Sequence, residues 1–245
     1  MSDVMIWAHR GASAHAPENT MAAFELAWRQ GADGIELDVQ VTRDGVPVVL
    51  HDETLDRTTD RRGRVSRMTL GEVRHADAGS WFHVRYGGER VPTLNEVFDW
   101  ARTRVRVNVE IKDAAAADAV LALIQHHPGI EVVVSSFDRR LLRRLRQASP
   151  ALPLAVLCDR RLWRAHLREA VRLAACAFHP RRDLLTSVMA GQCRQAGLKV
   201  YPWTEDRPEG MRQLLRRGAD GLFTNDPAAA RALLDRTVGR SSPHR

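Results

Sequence analysis

The chain has 245 residues, 44% of them hydrophobic and 27% charged, with a formal net charge of +7. That balance excludes a disordered or fibrous chain, and the length allows one α/β barrel or two smaller domains. No apolar run is long enough to span a bilayer, so stable membrane insertion is not expected. The start lacks the basic stretch and extended apolar run of a secretory leader. The three cysteines, Cys158, Cys176 and Cys193, follow no metal-like spacing and form no disulfide framework. Together these features point to a cytoplasmic protein with cysteines that serve as packing residues. Apart from Lys112 and Lys199 every basic residue is arginine, scattered over helical segments. With no basic stripe interleaved with aromatic residues, the charge reads as a solvated cationic surface rather than a nucleic-acid interface.

Short apolar strands alternate with amphipathic helices along the chain. The first strand is predicted at 4–9. A helix capped by Asn19 or Thr20 follows, with Met21, Phe24 and Trp28 as its core face and Gly31 as its stop. The second strand, 34–41, leads through Asp44-Gly45 into a return strand at 46–51. Residues 52–92 show no helix–strand alternation and read as a small insertion folded over one end of the molecule. Thr93, with Glu96 three residues on, makes a capping box for the next helix. Strands then fall near 105–111, 131–135, 154–157, 174–179, 199–203 and 220–224. The helices between and after them lie near 114–127, 139–148, 160–173, 183–196, 208–217 and 227–235. Eight strands separated by helices, without a break in composition, predict a (β/α)₈ TIM barrel over residues 1–235. Residues 236–245 read as a flexible tail.

The chemistry gathers at the carboxyl ends of the predicted strands, where barrel enzymes place their active sites. Side chains alternate along a strand, so Glu36 and Asp38 share one face while Ile35, Leu37 and Val39 take the other. With Asp44-Gly45 as a two-residue turn, Arg43 pairs with Val46 and His51 is expected directly opposite Asp38. Clustered carboxylates repel unless a proton or cation lies between them. Glu110, on one face with Lys112, supplies a third. Three oxygen ligands suit one divalent ion, Mg²⁺, Ca²⁺ or Mn²⁺, rather than zinc. Arg10 and Lys112 beside such a cation attract a phosphate, and His9 and His51 can pass protons on either side of it. His179 reads equally as a satisfied histidine or a substrate contact, and Trp203 as core or rim.

These blocks resemble the glycerophosphodiester phosphodiesterase family. The matching pieces are His9-Arg10-Gly11, Pro17-Glu18-Asn19-Thr20, Glu36-Leu37-Asp38-Val39, Asp44-Gly45 and the run from His51 to Thr59. They continue with Val91-Pro92-Thr93-Leu94-Asn95-Glu96, Glu110-Ile111-Lys112, Ser135-Ser136-Phe137, Trp203-Thr204 and Asp220-Gly221. The resemblance implies a TIM barrel of lipid and glycerol metabolism that hydrolyses a small phosphodiester to glycerol 3-phosphate and an alcohol. It implies His9 and His51 as the acid/base pair, and Glu36, Asp38 and Glu110 as ligands of the divalent metal. Arg10 and Lys112 would contact the phosphate, Glu18 and Asn19 would support or touch the site, and Phe137 and Trp203 would line it. After Trp203-Thr204 the family often has Val-Asn, where this chain has Glu205-Asp206. Two alternatives stand beside this reading. One is a lysophospholipase D-like hydrolase approached through Trp81, Phe82 and Tyr86. The other is a catalytically silent, anion-binding barrel.

Overall fold

The computed structural model describes residues 4–239. In chain order the regular elements are β1 (Met5–His9), α1 (Met21–Arg29), β2 (Gly34–Val41), β3 (Pro47–Val49), α2 (Leu70–Val73), α3 (Leu94–Ala101) and β4 (Arg106–Ile111). There follow α4 (Ala117–His126), β5 (Val132–Ser136), α5 (Arg139–Ala148), β6 (Leu154–Cys158), α6 (Trp163–Arg172) and β7 (Ala177–Pro180). The chain continues through α7 (Ser187–Gln195), β8 (Lys199–Val200), α8 (Pro208–Arg216), β9 (Gly221–Thr224) and α9 (Pro227–Gly239). Strands pair in parallel in the order β8-β7-β6-β5-β4-β2-β1-β9. Backbone bonds from Asp220 N to Val200 O (2.9 Å) and Phe223 N to Pro202 O (3.0 Å) bring β9 back to the β8 segment. The result is a (β/α)₈ barrel, with β3 as an antiparallel excursion on β2.

Period-two alternation explains the two apolar layers. Outward residues such as Ile35, Leu37, Val107, Val109, Val134 and Val156 pack against helix residues that include Phe24, Phe98 and Leu142. Inside, Trp7 stacks on Phe223 at 6.0 Å and meets Tyr201 edge-on at 6.1 Å, filling the lower barrel. On the same inward phase, two residues further along their strands, stand His9, Glu36, Asn108 and Asn225, and two residues beyond that level stand Asp38 and Glu110. The strand period therefore sets the site directly above an aromatic floor.

Some local expectations hold and others change. Thr20 rather than Asn19 caps α1, its Oγ1 accepting from Ala23 N at 3.3 Å. Trp28 is not a core residue: it is 41% exposed, and Ala23, Phe24 and Ala27 make the buried face instead. The Thr93–Glu96 capping box forms in both directions, a contribution of about 1 kcal/mol. The last helix continues past 235 to Gly239, and residues 240–245 of the expected tail lie outside the described residues. Cys158 and Cys193 are buried but Cys176 is exposed, and none of the three is in a disulfide.

The hairpin register differs by one residue from the expected one. Val39 faces Val49 and Gln40 faces Val48, and Leu50 N donates to Asp38 O at 2.9 Å. Leu50, not His51, lies opposite Asp38. The cause is a three-residue loop, 43–45. Gly45 adopts φ +82° there, which a glycine tolerates without strain. Asp44 is drawn out of a two-residue turn by Thr42 Oγ1 at 2.6 Å and by Leu70 N at 3.0 Å.

Residues 52–92 pack a small core of their own, with Leu55, Val65, Val73, Ala76 and Val91 against Val48 and Leu50 of the return strand. Tyr86 Oη and Arg85 Nη2 donate to His15 O at 2.9 and 3.1 Å, tying this segment to the loop after β1.

Candidate active site

A cavity of about 230 Å³ opens at the carboxyl ends of the strands, lined by His9, Arg10, Glu36, His51, Glu110 and Lys112 together with Asn108, Phe137, Trp203, Leu157 and Phe223. Glu36, Asp38 and Glu110 are all buried, and one carboxylate oxygen from each lies within 4.8 Å of the others. Burial raises the Glu36 carboxyl well above the usual carboxylate range, and the Asp38 and Glu110 charges push it further. Burial, with the Asp38 charge, likewise lifts Glu110 to about 7. Asp38 moves the other way: burial opposes its charge, but Lys112 and Arg10 outweigh that and hold it below the usual range.

The basic partners are close. Lys112 Nζ is 2.7 Å from Glu110 Oε1 and 3.1 Å from Asp38 Oδ1. Arg10 Nε is 3.2 Å from Asp38 Oδ2, and its Nη1 donates to Glu18 at 2.9 Å. Arg10 is aimed by its backbone, which sits at φ +57° with its N–H on Glu36 O at 3.0 Å. The following Gly11, at φ +81°, has no alternative: a Cβ there would stand 2.7 Å from Ala23 backbone. Asn19 Nδ2 donates to Asp38 Oδ2 at 3.0 Å, so it supports a carboxylate from behind. Phe137 and Trp203 meet edge-on at 5.7 Å on the cavity wall.

The two histidines that line the cavity have unlike partners. His9 Nδ1 is 2.8 Å from Asn225 Oδ1. Burial, with Arg10 beside it, lowers its pKa to about 4. His51 Nδ1 is 2.6 Å from Asp52 Oδ1. The Asp52 carboxyl is held at about 2, first by its hydrogen bond from Arg57 and then by His51. Arg57 joins two parts of the site, reaching Asp52 Oδ2 at 2.7 Å and both oxygens of Glu18 at 2.8 and 2.9 Å.

All eleven sequence-expected side chains are thus gathered at one end of the barrel, nine on the cavity or its acidic cluster and Glu18 and Asn19 behind. Asp52, Arg57 and Asn225 were given no role from the sequence, although Asn225 falls at the carboxyl end of the last predicted strand. Asp52 follows the histidine and Arg57 lies in the same polar run, which is a local signal. Asn225 is 216 residues from His9 in sequence, and only the barrel closure brings it there. His179 is buried, and neither ring nitrogen has a hydrogen-bond partner among the described residues. It packs on Phe223 at 4.9 Å in the aromatic floor.

The residues present fit a hard divalent cation. Three buried carboxylates with two raised pKa values form a cluster that favours a bound proton or cation, and an all-oxygen donor set suits Mg²⁺, Ca²⁺ or Mn²⁺. Asn108 Oδ1 and Ser135 Oγ, buried on the adjacent strands, have no partner among the described residues and leave polar capacity for a ligand. A parallel barrel with acids, cations and imidazoles at the carboxyl ends defines a class of enzyme that acts on small anionic substrates.

Comparison with known proteins narrows the class. The model of the glycerophosphoryl diester phosphodiesterase family matches residues 9–229. A glycerophosphodiester phosphodiesterase of Caldanaerobacter subterraneus subsp. tengcongensis is 40% identical, over 91% of this chain and 94% of its own. Among solved structures, a phosphodiesterase of Oleispira antarctica in complex with the product sn-glycerol-3-phosphate superposes with a TM-score of 0.86 at 28% identity, covering 94% of this chain and 96% of that one. A glycerophosphodiester phosphodiesterase of Agrobacterium tumefaciens gives 0.85 at 31% identity, covering 94% and 100%. The chain belongs to the glycerophosphoryl diester phosphodiesterase family and is a phosphoric diester hydrolase.

Proposed function

We propose that the chain hydrolyses water-soluble glycerophosphodiesters to glycerol 3-phosphate and an alcohol, with a divalent cation held by Glu36, Asp38 and Glu110. The observation that carries this reading is the convergence of those three buried carboxylates with Arg10, Lys112, His9 and His51 on one cavity. The cation, when bound, supplies positive charge for the phosphoryl oxygens. Arg10 and Lys112 neutralise the rest of the phosphate and orient it. Glu18 and Asn19 hold Arg10 and Asp38 in place, and Phe137 and Trp203 form an apolar wall for the glycerol or alcohol group.

His9 and His51 divide the proton transfers. A carboxylate only accepts, so His51 carries its Nδ1 proton toward Asp52, and in its doubly protonated form, with that carboxylate beside its charge, it donates the second proton from Nε2. His9 faces a neutral amide and has a depressed pKa, so its free Nε2 is suited to accept a proton. The attacking hydroxyl, from water or from the glycerol 2-position, gives its proton to His9 Nε2 as its oxygen bonds to phosphorus. The bond from phosphorus to the leaving alkoxide breaks, and His51 Nε2 protonates that oxygen. When the 2-hydroxyl attacks, the product is first a cyclic phosphate, which water then opens.

Residues 1–235 serve as one catalytic domain in this reading, with 52–92 as an insertion tied to the loop after β1 through Arg85 and Tyr86. Among the described residues no helix is long and apolar enough to cross a membrane. The three free cysteines, one of them exposed, support a reducing, cytoplasmic setting. The lysolipid alternative gains little from Trp81, Phe82 and Tyr86, which meet one another edge-on at 5.7 and 5.8 Å and do not line the cavity.

The test is product analysis with two substrates. Glycerol 3-phosphate released from glycerophosphocholine, with little turnover of lysophosphatidylcholine, supports the proposal. Turnover of the lysolipid alone replaces it with the lysophospholipase D reading.

A further inference from the structure

His9 is oriented by a chain of hydrogen bonds that starts at the barrel rim. Asp206, in the loop after β8, accepts at Oδ1 from Thr224 Oγ1 at 2.9 Å and from Asn225 N at 2.7 Å. Its Oδ2 accepts from Asn225 Nδ2 at 2.7 Å. Asn225 Oδ1 in turn lies 2.8 Å from His9 Nδ1. The Ser13 hydroxyl stands between two acceptors, 2.9 Å from Asn225 Oδ1 and 2.7 Å from His9 O, with one proton for both. Asp206 and Asn225 are thus fixed at both ends, although Asp206 itself is exposed.

The donor and acceptor roles along this chain follow from chemistry alone. A carboxylate has only acceptors, so the amide nitrogen of Asn225 must face Asp206. The amide oxygen must then face His9, and the two atoms meet favourably only with a proton on Nδ1. We propose that Asp206 is a positioning residue for the reaction: acting through Asn225, it fixes the Nδ1–H tautomer of His9 and so turns the Nε2 lone pair to the substrate. This rests on the reading of His9 as a proton-transfer residue. The family resemblance does not supply this role, since the chain departs from the family pattern at residues 205–206.

An isosteric substitution tests the polarity rather than the shape. Asp206→Asn must keep an acceptor toward Thr224 and Asn225 N, so its amide nitrogen meets Asn225 Nδ2. Asn225 then flips and presents its amide nitrogen to His9 Nδ1, which favours the opposite tautomer. The double variant Asp206→Asn, Asn225→Asp restores the alternation. Its carboxylate at position 225 accepts both from His9 Nδ1 and from the amide nitrogen introduced at position 206. For Asp206→Asn we expect kcat to fall roughly 10–100-fold with KM changed by less than about twofold, and the double variant to recover most of kcat. In ¹⁵N-histidine NMR of the wild-type protein, with His9 assigned by its loss in His9→Gln, we expect the proton on Nδ1.

The proposal is overturned by a wild-type His9 protonated only on Nε2, by an Asp206→Asn variant of near-normal kcat, or by a loss that the double variant does not recover. The NMR measurement needs no variant of Asp206 to fold. Full turnover by His9→Ala would remove the underlying reading of His9 along with the proposal. A dead His9→Ala with an unaffected Asp206→Asn removes the proposal alone.

Discussion

At the amino-terminal end of the barrel a cavity of about 910 Å³ is lined by Arg102, Arg106, Glu131, Lys199, Asp220 and Arg231, among other residues. Most of that charge is already matched: Arg106 with Glu131 at 2.5 Å, Lys199 with Asp220 at 3.1 Å, and Arg231 with Asp33 at 2.8 Å. At the carboxyl end the cavity is about 230 Å³, yet three acids stand together there with two carboxyls lifted above their usual range. The larger cavity is a set of surface ion pairs, each worth little in water. The smaller one stores mutual repulsion that only a proton, a cation or an anionic substrate with its cation relieves. The candidate site is set apart not by size but by three buried acids crowded beside two basic side chains.

Removing one of the three carboxylates should break that contrast most sharply. Asp38→Asn or Glu36→Gln is expected to lower turnover roughly 10³-fold or more. In Glu36→Gln the metal-free protein should keep or raise its melting temperature, because a buried like charge is gone. Steady-state assays and thermal melts on one preparation check both halves, and a strongly destabilised Glu36→Gln would contradict the picture of stored repulsion. Next in size, His51→Ala is expected to cost roughly 10²–10⁴-fold in turnover, measured with glycerophosphocholine. Near-normal activity would remove His51 from the proton transfers.

Between the two ends lies His179, whose pKa burial alone lowers to about 3. An unfolded histidine titrates near 6.5, so below that pH the unfolded chain takes up a proton that the native ring refuses. The native state therefore loses stability as pH falls from about 6.5 toward 3, by about 1.4 kcal/mol per pH unit from this group. Urea unfolding at pH 6.5 and at lower pH should show a shallower loss in His179→Leu than in the wild type. Equal slopes would mean that the ring is protonated in the fold. The smallest effect belongs to the amino-terminal end. Lys199→Ala should change turnover by less than about twofold and stability by at most ~1 kcal/mol, and a larger loss of activity would show that the two ends are coupled.

Much of this site was legible because strand alternation is a short-range rule. Glu36 with Asp38, and Glu110 with Lys112, are two residues apart, so any strand puts each pair on one face. His51 was placed at the correct end for a partly mistaken reason: the Asp-Gly pair suggested a two-residue turn, but Asp44 spends its side chain on Thr42 and Leu70. Periodicity also misjudged Trp28. Its ring lies on the helix flank under Arg104, 5.7 Å away, and only the packing of α1 decides which flank is buried. The hydrogen-bond chain from Asp206 through Asn225 to His9 was out of reach, since it depends on barrel closure bringing the last strand beside the first. Local signals gave the three carboxylates, and the fold alone supplied the hydrogen bond between Asn225 and His9.

The most direct test is turnover of glycerophosphocholine by chelator-stripped protein as Mg²⁺, Ca²⁺ or Mn²⁺ is returned, with Glu110→Gln alongside. The account expects no glycerol 3-phosphate from the stripped enzyme, recovery with at least one of the ions, and little recovery in Glu110→Gln. Full turnover in the presence of EDTA, or equal recovery by Glu110→Gln, would contradict it.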